Sequence, residues 1–236
     1  MSLFPTTEWT AVLKAGRTDA AEAAPALERL CRIYWYPLYA FVRRKGHDAH
    51  AAEDLTQEFF ASLFERDAFK QPQQEKGRFR TFLLTSLNFF LINEWHRRRS
   101  QKRGGTHQII SWDEAQAENF YQNEPADHAS PEKLFERRWA FTVMNQVLAR
   151  LKAEYVRDDK VELFACLEPG LTNEANPGLY AGWAKNLGMS EGAVRVAVHR
   201  LRRRFGELLR SEIAHTVATP EEVDEEIRHL FAAIAE

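Results

Sequence analysis

The apolar residues of this chain repeat with the spacing of α-helices, and alternating runs of β-branched residues are absent. This pattern predicts an all-α fold. The clearest helices are expected over about 48–64, 78–99 and 131–155, followed by a helix pair within 179–210 and a last helix over about 220–233. Turn dipeptides typical of β-hairpins are scarce, so no sheet is expected.

The predicted helix over 78–99 is unusual because its apolar residues point in every direction around the helix axis. A surface helix normally keeps its apolar residues on one side. A helix that is apolar all round is either enclosed by neighbouring elements or keeps aromatic rings exposed for a purpose. For Trp95 the sequence leaves both interpretations open, burial in the core and contact with a ligand.

A polar, acidic stretch separates two predicted helical modules. Gly104 and Gly105 end the first module, and the residues that follow are mostly polar, which predicts a flexible acidic linker. The expected organisation is, in chain order, an N-terminal helical extension 1–26, a helical module 27–104, the linker 105–133, a second helical module 134–214 and an acidic C-terminal helix 215–236.

Composition narrows the class of protein. Of the 236 residues, 44% are hydrophobic and 28% are charged, which is typical of a folded globular protein. No apolar run is long enough to cross a bilayer and the N-terminus lacks the features of a signal peptide, so we expect a cytoplasmic protein without a membrane segment. Cys31 and Cys166 are far apart, and no disulfide, metal site or cofactor is expected.

Charge is distributed unevenly along a chain whose net charge is only -2. Residues 76–103 contain eight basic residues and one acidic residue, and residues 195–210 contain six arginines and one glutamate. Two separate basic clusters on a nearly neutral chain are typical of a protein that contacts nucleic-acid phosphates in two places. Two solvated helix faces are the alternative interpretation.

The helix pair within 179–210 has the spacing of a helix-turn-helix. Ala184 is small where a second helix would cross closely, Gly188 suits the turn, and Ser190 is a good N-cap for the second helix. The polar row outside the second helix begins at its N-terminus, where a recognition helix meets base edges. Within that row Arg195 and His199 are the candidates for reading bases. An ordinary antiparallel helix pair is the competing interpretation.

Three parts of the chain together resemble the extracytoplasmic-function (ECF) sigma factors of bacterial transcription. The stretch LGMSEGAVRVAVHRLR over 187–202 is similar to the helix-turn-helix of region 4, which reads the minus-35 promoter element. The stretch AEDLTQEF over 52–59 is similar to the part of region 2 that docks on the clamp helices of the largest polymerase subunit. The stretches over 77–82 and 88–99 resemble the part of region 2 that captures the melted minus-10 strand.

The resemblance implies a sigma factor that binds core RNA polymerase, directs promoter recognition, melting and transcription initiation, and is not an enzyme. The partners that it implies are promoter DNA, the clamp helices of the largest polymerase subunit, the flap of the second-largest subunit, and an anti-sigma factor or other regulatory partner.

The resemblance also assigns expected roles to individual residues. The expected polymerase-binding residues are Glu53, Asp54, Gln57 and Glu58. The expected minus-10 DNA-binding residues are Arg78, Phe79, Arg80, Asn88, Trp95, Arg97 and Arg98. The expected minus-35 DNA-binding residues are Ser190, Glu191, Gly192, Arg195, His199, Arg200, Arg202 and Arg203.

Two rival functions use the same residues differently. A conventional repressor or activator would use the helix-turn-helix without polymerase. A nucleic-acid enzyme such as a nuclease would use the acidic group Glu53, Asp54 and Glu58, but the sequence supplies no phosphate loop, metal-ligand cluster or nucleophile-base pair to accompany it.

The C-terminal segment carries its own helix signal. Thr219 and Glu222 have the spacing of a capping box, with Pro220 at the first helical position. We expect this acidic helix to pack on the module built from residues 134–213. An alternative hypothesis places its acidic face over residues 195–204, where it would compete with DNA.

Overall fold

The computed structural model describes residues 20–65, 79–100, 118–119, 121–122, 129–172, 177–217 and 219–235. No β-strand occurs in these ranges, and the predicted all-α fold is confirmed. The helices are α1 (Ala20–Arg44), α2 (Ala49–Glu65), α3 (Phe79–Ser100), α4 (Pro131–Arg157), α5 (Val161–Leu167), α6 (Pro177–Leu187), α7 (Glu191–Ala214) and α8 (Glu222–Ala235), with a short 3-10 helix at Glu168–Leu171. No helix in the described ranges combines the length and apolarity needed to span a bilayer.

The chain divides into two compact units. Unit 1 comprises Met1–Thr142 and Ile213–Glu236, and unit 2 comprises Val143–Glu212. This division differs from the expected modules 27–104 and 134–214, because the first turns of α4 and the C-terminal segment group with the N-terminal helices.

The first turns of α4 join unit 1 because they bury large apolar side chains there. Leu134, Phe135 and Trp139 are buried. The guanidinium of Arg80, on α3, lies over the Trp139 ring at 5.0 Å from its centroid. Burying side chains of this size stabilises the fold by about 1.5–3 kcal/mol each. The first turns of α4 therefore pack in unit 1, although the same helix continues into unit 2.

Aromatic side chains form the centre of unit 1. Helix α1 contributes Tyr34 and α3 contributes Phe79, whose rings meet edge to face with centroids 5.1 Å apart. Phe59 of α2 meets Phe90 of α3 at 5.6 Å. The fully buried large side chains of unit 1 include Trp35, Tyr39, Phe41, Leu38, Leu55 and Leu83. Helices α1, α2 and α3 therefore form one packed body.

A tight corner joins α1 to α2 and fixes the direction of α2. Gly46 has φ +96°, a backbone conformation that glycine adopts without steric cost. Asp48 then caps α2, since its Oδ1 accepts a hydrogen bond from the backbone N–H of Ala51 at 2.8 Å.

Helix α8 packs within unit 1 through a buried ion pair. Arg80 donates from Nε to Oε1 of Glu226 at 2.7 Å and also binds Glu136 of α4. The expectation that α8 packs on the 134–213 segment is thus met only in part, because its buried carboxylate pairs with α3. Because Glu226 is buried against Arg80, it is not part of the exposed acidic face of α8.

The N-terminal signal of α8 is formed as the sequence predicts. The backbone N–H of Thr219 donates to Oε2 of Glu222 at 3.2 Å, which is the reciprocal bond of a capping box. The helix itself begins at Glu222, two residues after the predicted start at Pro220.

Part of the predicted linker is held against unit 1. Arg43 of α1 donates to both carboxylate oxygens of Glu118 at 3.0 and 2.7 Å, and the Tyr39 hydroxyl donates to the same carboxylate at 2.5 Å. The Arg43 guanidinium also lies 4.7 Å above the Tyr121 ring. These contacts differ from the flexible linker expected over 105–133. Residues 105–117, 120 and 123–128 lie outside the described ranges.

Unit 2 packs the second half of α4 with α5, α6 and α7 around an apolar core. Gly170 in the 3-10 helix permits close packing, since a Cβ atom there would lie 3.2 Å from the Trp183 ring. The core is made by Val147, Leu151, Phe164, Leu167, Val194, Val198, Leu201 and Leu208. Helix α7 packs on this core through Val194, Val198, Leu201 and Leu208.

Candidate nucleic-acid interface

The connection between α6 and α7 consists of Gly188, Met189 and Ser190. Gly188 has φ +62°, which a residue with a side chain rarely adopts, and the Met189 N–H donates to the Ala184 carbonyl at 3.0 Å. The Ser190 Oγ accepts from the Ala193 N–H at 3.2 Å and caps α7. The roles predicted for Gly188 and Ser190 from the sequence are therefore found in this turn.

Helix α7 has a buried face and a basic exposed face. The predicted inward stripe is present, with Val194, Val198, Leu201 and Leu208 buried and Phe205 partly buried. All of the expected minus-35 residues lie at exposed positions on α7 or at its N-cap. They are Ser190, Glu191, Gly192, Arg195, His199, Arg200, Arg202 and Arg203.

Arg195 is held at the N-terminal end of this exposed face. Its guanidinium lies 5.3 Å from the centroid of the Tyr180 ring of α6, and Nη2 lies 3.9 Å from Oε2 of Glu191. Tyr180 is buried, so the ring is a fixed support. These contacts restrict the rotamers of the arginine while leaving it more than half exposed.

The arginines further along α7 differ in what they contact. Arg202 donates from Nε to the Gly170 carbonyl at 2.7 Å, and Arg203 lies 3.5 Å from Glu207. Arg204 donates to both oxygens of Glu154 on α4, at 2.8 and 2.7 Å, and to Glu207. The basic run of 202–204 therefore includes one residue, Arg204, that joins α7 to α4.

Hydrogen bonding between Arg204 and Glu154 shifts the pKa of both groups. The hydrogen bonds that Arg204 donates to Glu154 are the main cause that raises the pKa of Arg204 and also the main cause that lowers the pKa of Glu154. The sequence gives no signal for this pairing, because the two residues are 50 positions apart.

The expected polymerase-binding residues lie on α2 away from its buried face. Asp54 is exposed, and Glu53, Gln57 and Glu58 are partly exposed. Gln57 donates to Glu53 at 2.9 Å, and His50 lies 3.3 Å from Asp54. Among the described residues, no group of three His, Cys, Asp or Glu side chains is arranged to hold a metal ion.

Two of the expected minus-10 residues are buried in the structure. Phe79 is buried against Tyr34, and Arg80 is buried between Glu226 and Glu136. In this conformation both side chains point into the core, because the first turn of α3 packs inside unit 1. The local sequence could not reveal this, since an arginine is normally placed on the surface and its carboxylate partners lie 56 and 146 residues away.

The remaining minus-10 candidates lie further along α3. Asn88 is partly exposed, and its Nδ2 donates to the Leu84 carbonyl at 3.1 Å. Trp95 is 56% exposed, which decides the question that the sequence left open in favour of an accessible ring. Arg78 and the side chains of Arg97 and Arg98 lie outside the described residues.

Helix α3 exposes an apolar surface around Trp95. Of the residues exposed there, the sequence predicted only Trp95 as a site residue. Phe89 and Ile92 are exposed beside it. A pocket of about 540 Å³ opens next to this surface and is lined by Lys45, His47, Leu55, Asn88, Leu91, Ile92, Glu94, Trp95 and His96. The all-round apolar character of the helix was the sequence signal for these exposed rings.

A known family model matches part of the chain. Residues 34–101, less than a third of the chain, match the model of sigma-70 region 2. The match supports a sigma-70 family sigma factor with a role in promoter recognition. The matched family is one of transcription initiation factors and not of enzymes. No solved structure matches the chain significantly.

Proposed function

We propose that the chain is a sigma factor of the ECF type, which binds core RNA polymerase in the cytoplasm and directs promoter recognition, melting and initiation. The observation that carries this proposal is the region 2 match over residues 34–101. It is joined in the same chain by a second element suited to DNA, the capped and basic helix α7. A sigma factor needs both, because it contacts two separate promoter elements.

In this proposal α6 and α7 form the helix-turn-helix of a region 4-like module, and α7 reads the minus-35 element. The exposed face of α7 begins at the helix N-terminus, where backbone N–H groups and the helix dipole favour phosphate. Arg195 and His199 are the base-reading residues. Arg200, Arg202 and Arg203 contact phosphates and set the register of the helix in the major groove.

The exposed surface of α3 is the proposed site for the melted minus-10 strand. Unpaired bases must be held outside the stack, and stacking on an aromatic ring contributes about 1–3 kcal/mol per base. Phe89 and Trp95 offer such rings. Lys45, whose ammonium pairs with Glu132 at 3.4 Å, lines the adjacent pocket. Asn88 lies in the same pocket and can bond a base edge.

The exposed polar face of α2 is the proposed contact with the polymerase clamp helices. Glu53, Asp54, Gln57 and Glu58 are exposed or partly exposed there, and Gln57 donates a hydrogen bond to Glu53. A protein contact is the function that fits such a face. The flap of the second-largest subunit would be contacted by the region 4-like module, and an anti-sigma factor would compete for these surfaces.

In vitro transcription tests the proposal. Core polymerase and supercoiled genomic fragments are combined with and without the full chain, and transcript 5′ ends are mapped. We expect a set of start sites that appears only when the chain is present. A chain that binds specific duplexes unaided and directs no initiation by the core enzyme would instead be a repressor or activator, and the proposal would be abandoned.

A further inference from the structure

One apolar side chain interrupts the exposed polar face of α7. Val196 is 50% exposed, whereas Val194 and Val198 on the same helix are 0% and 2% exposed. Val196 directly follows Arg195 and precedes His199 by three positions, so the three residues occupy neighbouring places on the outward surface. Val196 therefore lies outside the buried stripe of α7 and keeps half of its surface exposed.

The surroundings of Val196 let another molecule approach closely. Gly192 lies one turn earlier on the same side of α7, is exposed, and has open space where a Cβ would be. Gly192 and Val196 line a shallow cleft of about 650 Å³, whose other lining residues include the small Ala193, the basic Arg200 and the acidic Glu154 and Asp158. Gly192, Ala193 and Ala197 beside Val196 are therefore small, whereas Glu191, Arg195 and Arg200 around them are charged.

A valine in a helix presents its methyl groups in a nearly fixed direction. The β-branched side chain has one strongly preferred χ1 rotamer there, so little conformational freedom is lost when it contacts a partner. In the DNA major groove, the C5-methyl group of thymine is the distinctive apolar feature among the hydrogen-bonding groups of base edges. An apolar, rigid side chain between two polar base-reading candidates matches that feature.

We propose that Val196 is a specificity-determining residue that contacts a thymine methyl group in the minus-35 element. The inference rests on the proposed function, because it requires α7 to lie in the major groove of a promoter. It adds a residue outside the expected minus-35 set. It also adds a contact that selects thymine by its methyl group, whereas arginine and histidine select bases by hydrogen bonds.

Deoxyuridine substitution isolates this contact, because deoxyuridine differs from thymidine only by the missing methyl group. Holoenzyme is reconstituted from core polymerase and the full chain, and a promoter that it transcribes is prepared with each minus-35 thymine replaced in turn. We expect the affinity to fall about two- to fivefold at one position, as for the loss of one buried apolar carbon. Val196→Ser should bind the thymine and uracil duplexes equally at that position.

A matched control excludes a general effect of placing serine on an exposed helix. Val156 is 51% exposed on α4 of the same unit, and Val156→Ser should retain the full discrimination between thymine and uracil. Retained discrimination in Val196→Ser, or equal binding of both duplexes by the wild-type holoenzyme, overturns the inference. Weaker association with core polymerase at an unchanged thymine-to-uracil ratio also overturns it and makes Val196 a protein contact.

The two levels of the proposal fail in different ways. If the chain directs no initiation, no promoter is available and the proposed function itself is rejected. If initiation is observed and Arg195→Ala changes the minus-35 preference while uracil substitution has no effect, only the role of Val196 is rejected.

Discussion

Arg80 and Glu226 are 146 residues apart in the sequence and form an ion pair that is shielded from solvent on both sides, with side chains 3% and 1% exposed. Burial by itself lowers the pKa of Arg80, but the hydrogen bond and the charge of Glu226, helped by Glu136, raise it overall. Arg80 is therefore charged in the folded protein, and it depends on these carboxylates for the interactions that water would otherwise provide.

Removing the carboxylate of this pair should destabilise the protein strongly. Glu226→Ala leaves the guanidinium of Arg80 buried without one of its two carboxylates, and the free energy of unfolding should fall by about 3–5 kcal/mol. Urea denaturation followed by circular dichroism measures this. The neighbouring exposed Glu225 is the control, and Glu225→Ala should change the stability by less than about 0.5 kcal/mol. Equal effects of the two substitutions would contradict the prediction.

Glu118, which binds Arg43 of α1, should make the free energy of unfolding depend on pH in the acidic range. Its hydrogen bond from Arg43, followed by that from Tyr39, lowers its pKa to about 2. The folded-state pKa is thus below the usual value of about 4.3, so the contribution is complete above about pH 5 and is lost as the pH falls towards 2.

Glu118→Gln tests this pH dependence. The variant should be less stable than wild type at pH 7, and the difference should shrink as the pH falls from about 5 to about 3. Urea midpoints measured across this range give the result. Glu162→Gln, at an exposed position of α5, should run parallel to wild type. Parallel curves for Glu118→Gln as well would show that the docked segment does not contribute.

Two arginines of α7 should have different effects on DNA binding. Arg195→Ala should relax the preference at one minus-35 position at a cost of about 1–3 kcal/mol, because a base contact is lost. Arg203→Ala should weaken binding to all sequences and lower the slope of log affinity against log salt by roughly one unit, because a phosphate contact is lost. Competition binding with substituted promoters at several salt concentrations distinguishes them. A uniform effect of Arg195→Ala would contradict its role in base reading.

The exposed ring of Trp95 should act in promoter melting. Trp95→Ala should reduce the stability of the open complex by about 1–3 kcal/mol, because one base loses its stacking partner. Permanganate reactivity of minus-10 thymines reports the open fraction. Phe141→Ala, an exposed aromatic position on α4, serves as the control and should melt promoters normally. Unchanged melting with Trp95→Ala would remove this residue from the interface.

Local sequence was enough to predict helices α2, α3, α4, α6, α7 and α8 and the turn between α6 and α7. Both depend on signals within a few residues, namely the spacing of apolar positions, the glycine at 188 and the hydroxyl of Ser190. Period 3.6 also separated the buried stripe of α7 from its exposed basic row, because α7 has a single apolar face.

Tertiary packing, and not local sequence, determines which residues of α3 are buried. This helix is apolar on every side, so its periodicity favours no face, and Phe79 is buried while Phe89 and Trp95 are exposed. Tertiary packing also determines where Arg80 and α8 lie. Their ion pair joins residues far apart in the chain, and no local pattern specifies which of many carboxylates a buried arginine will meet.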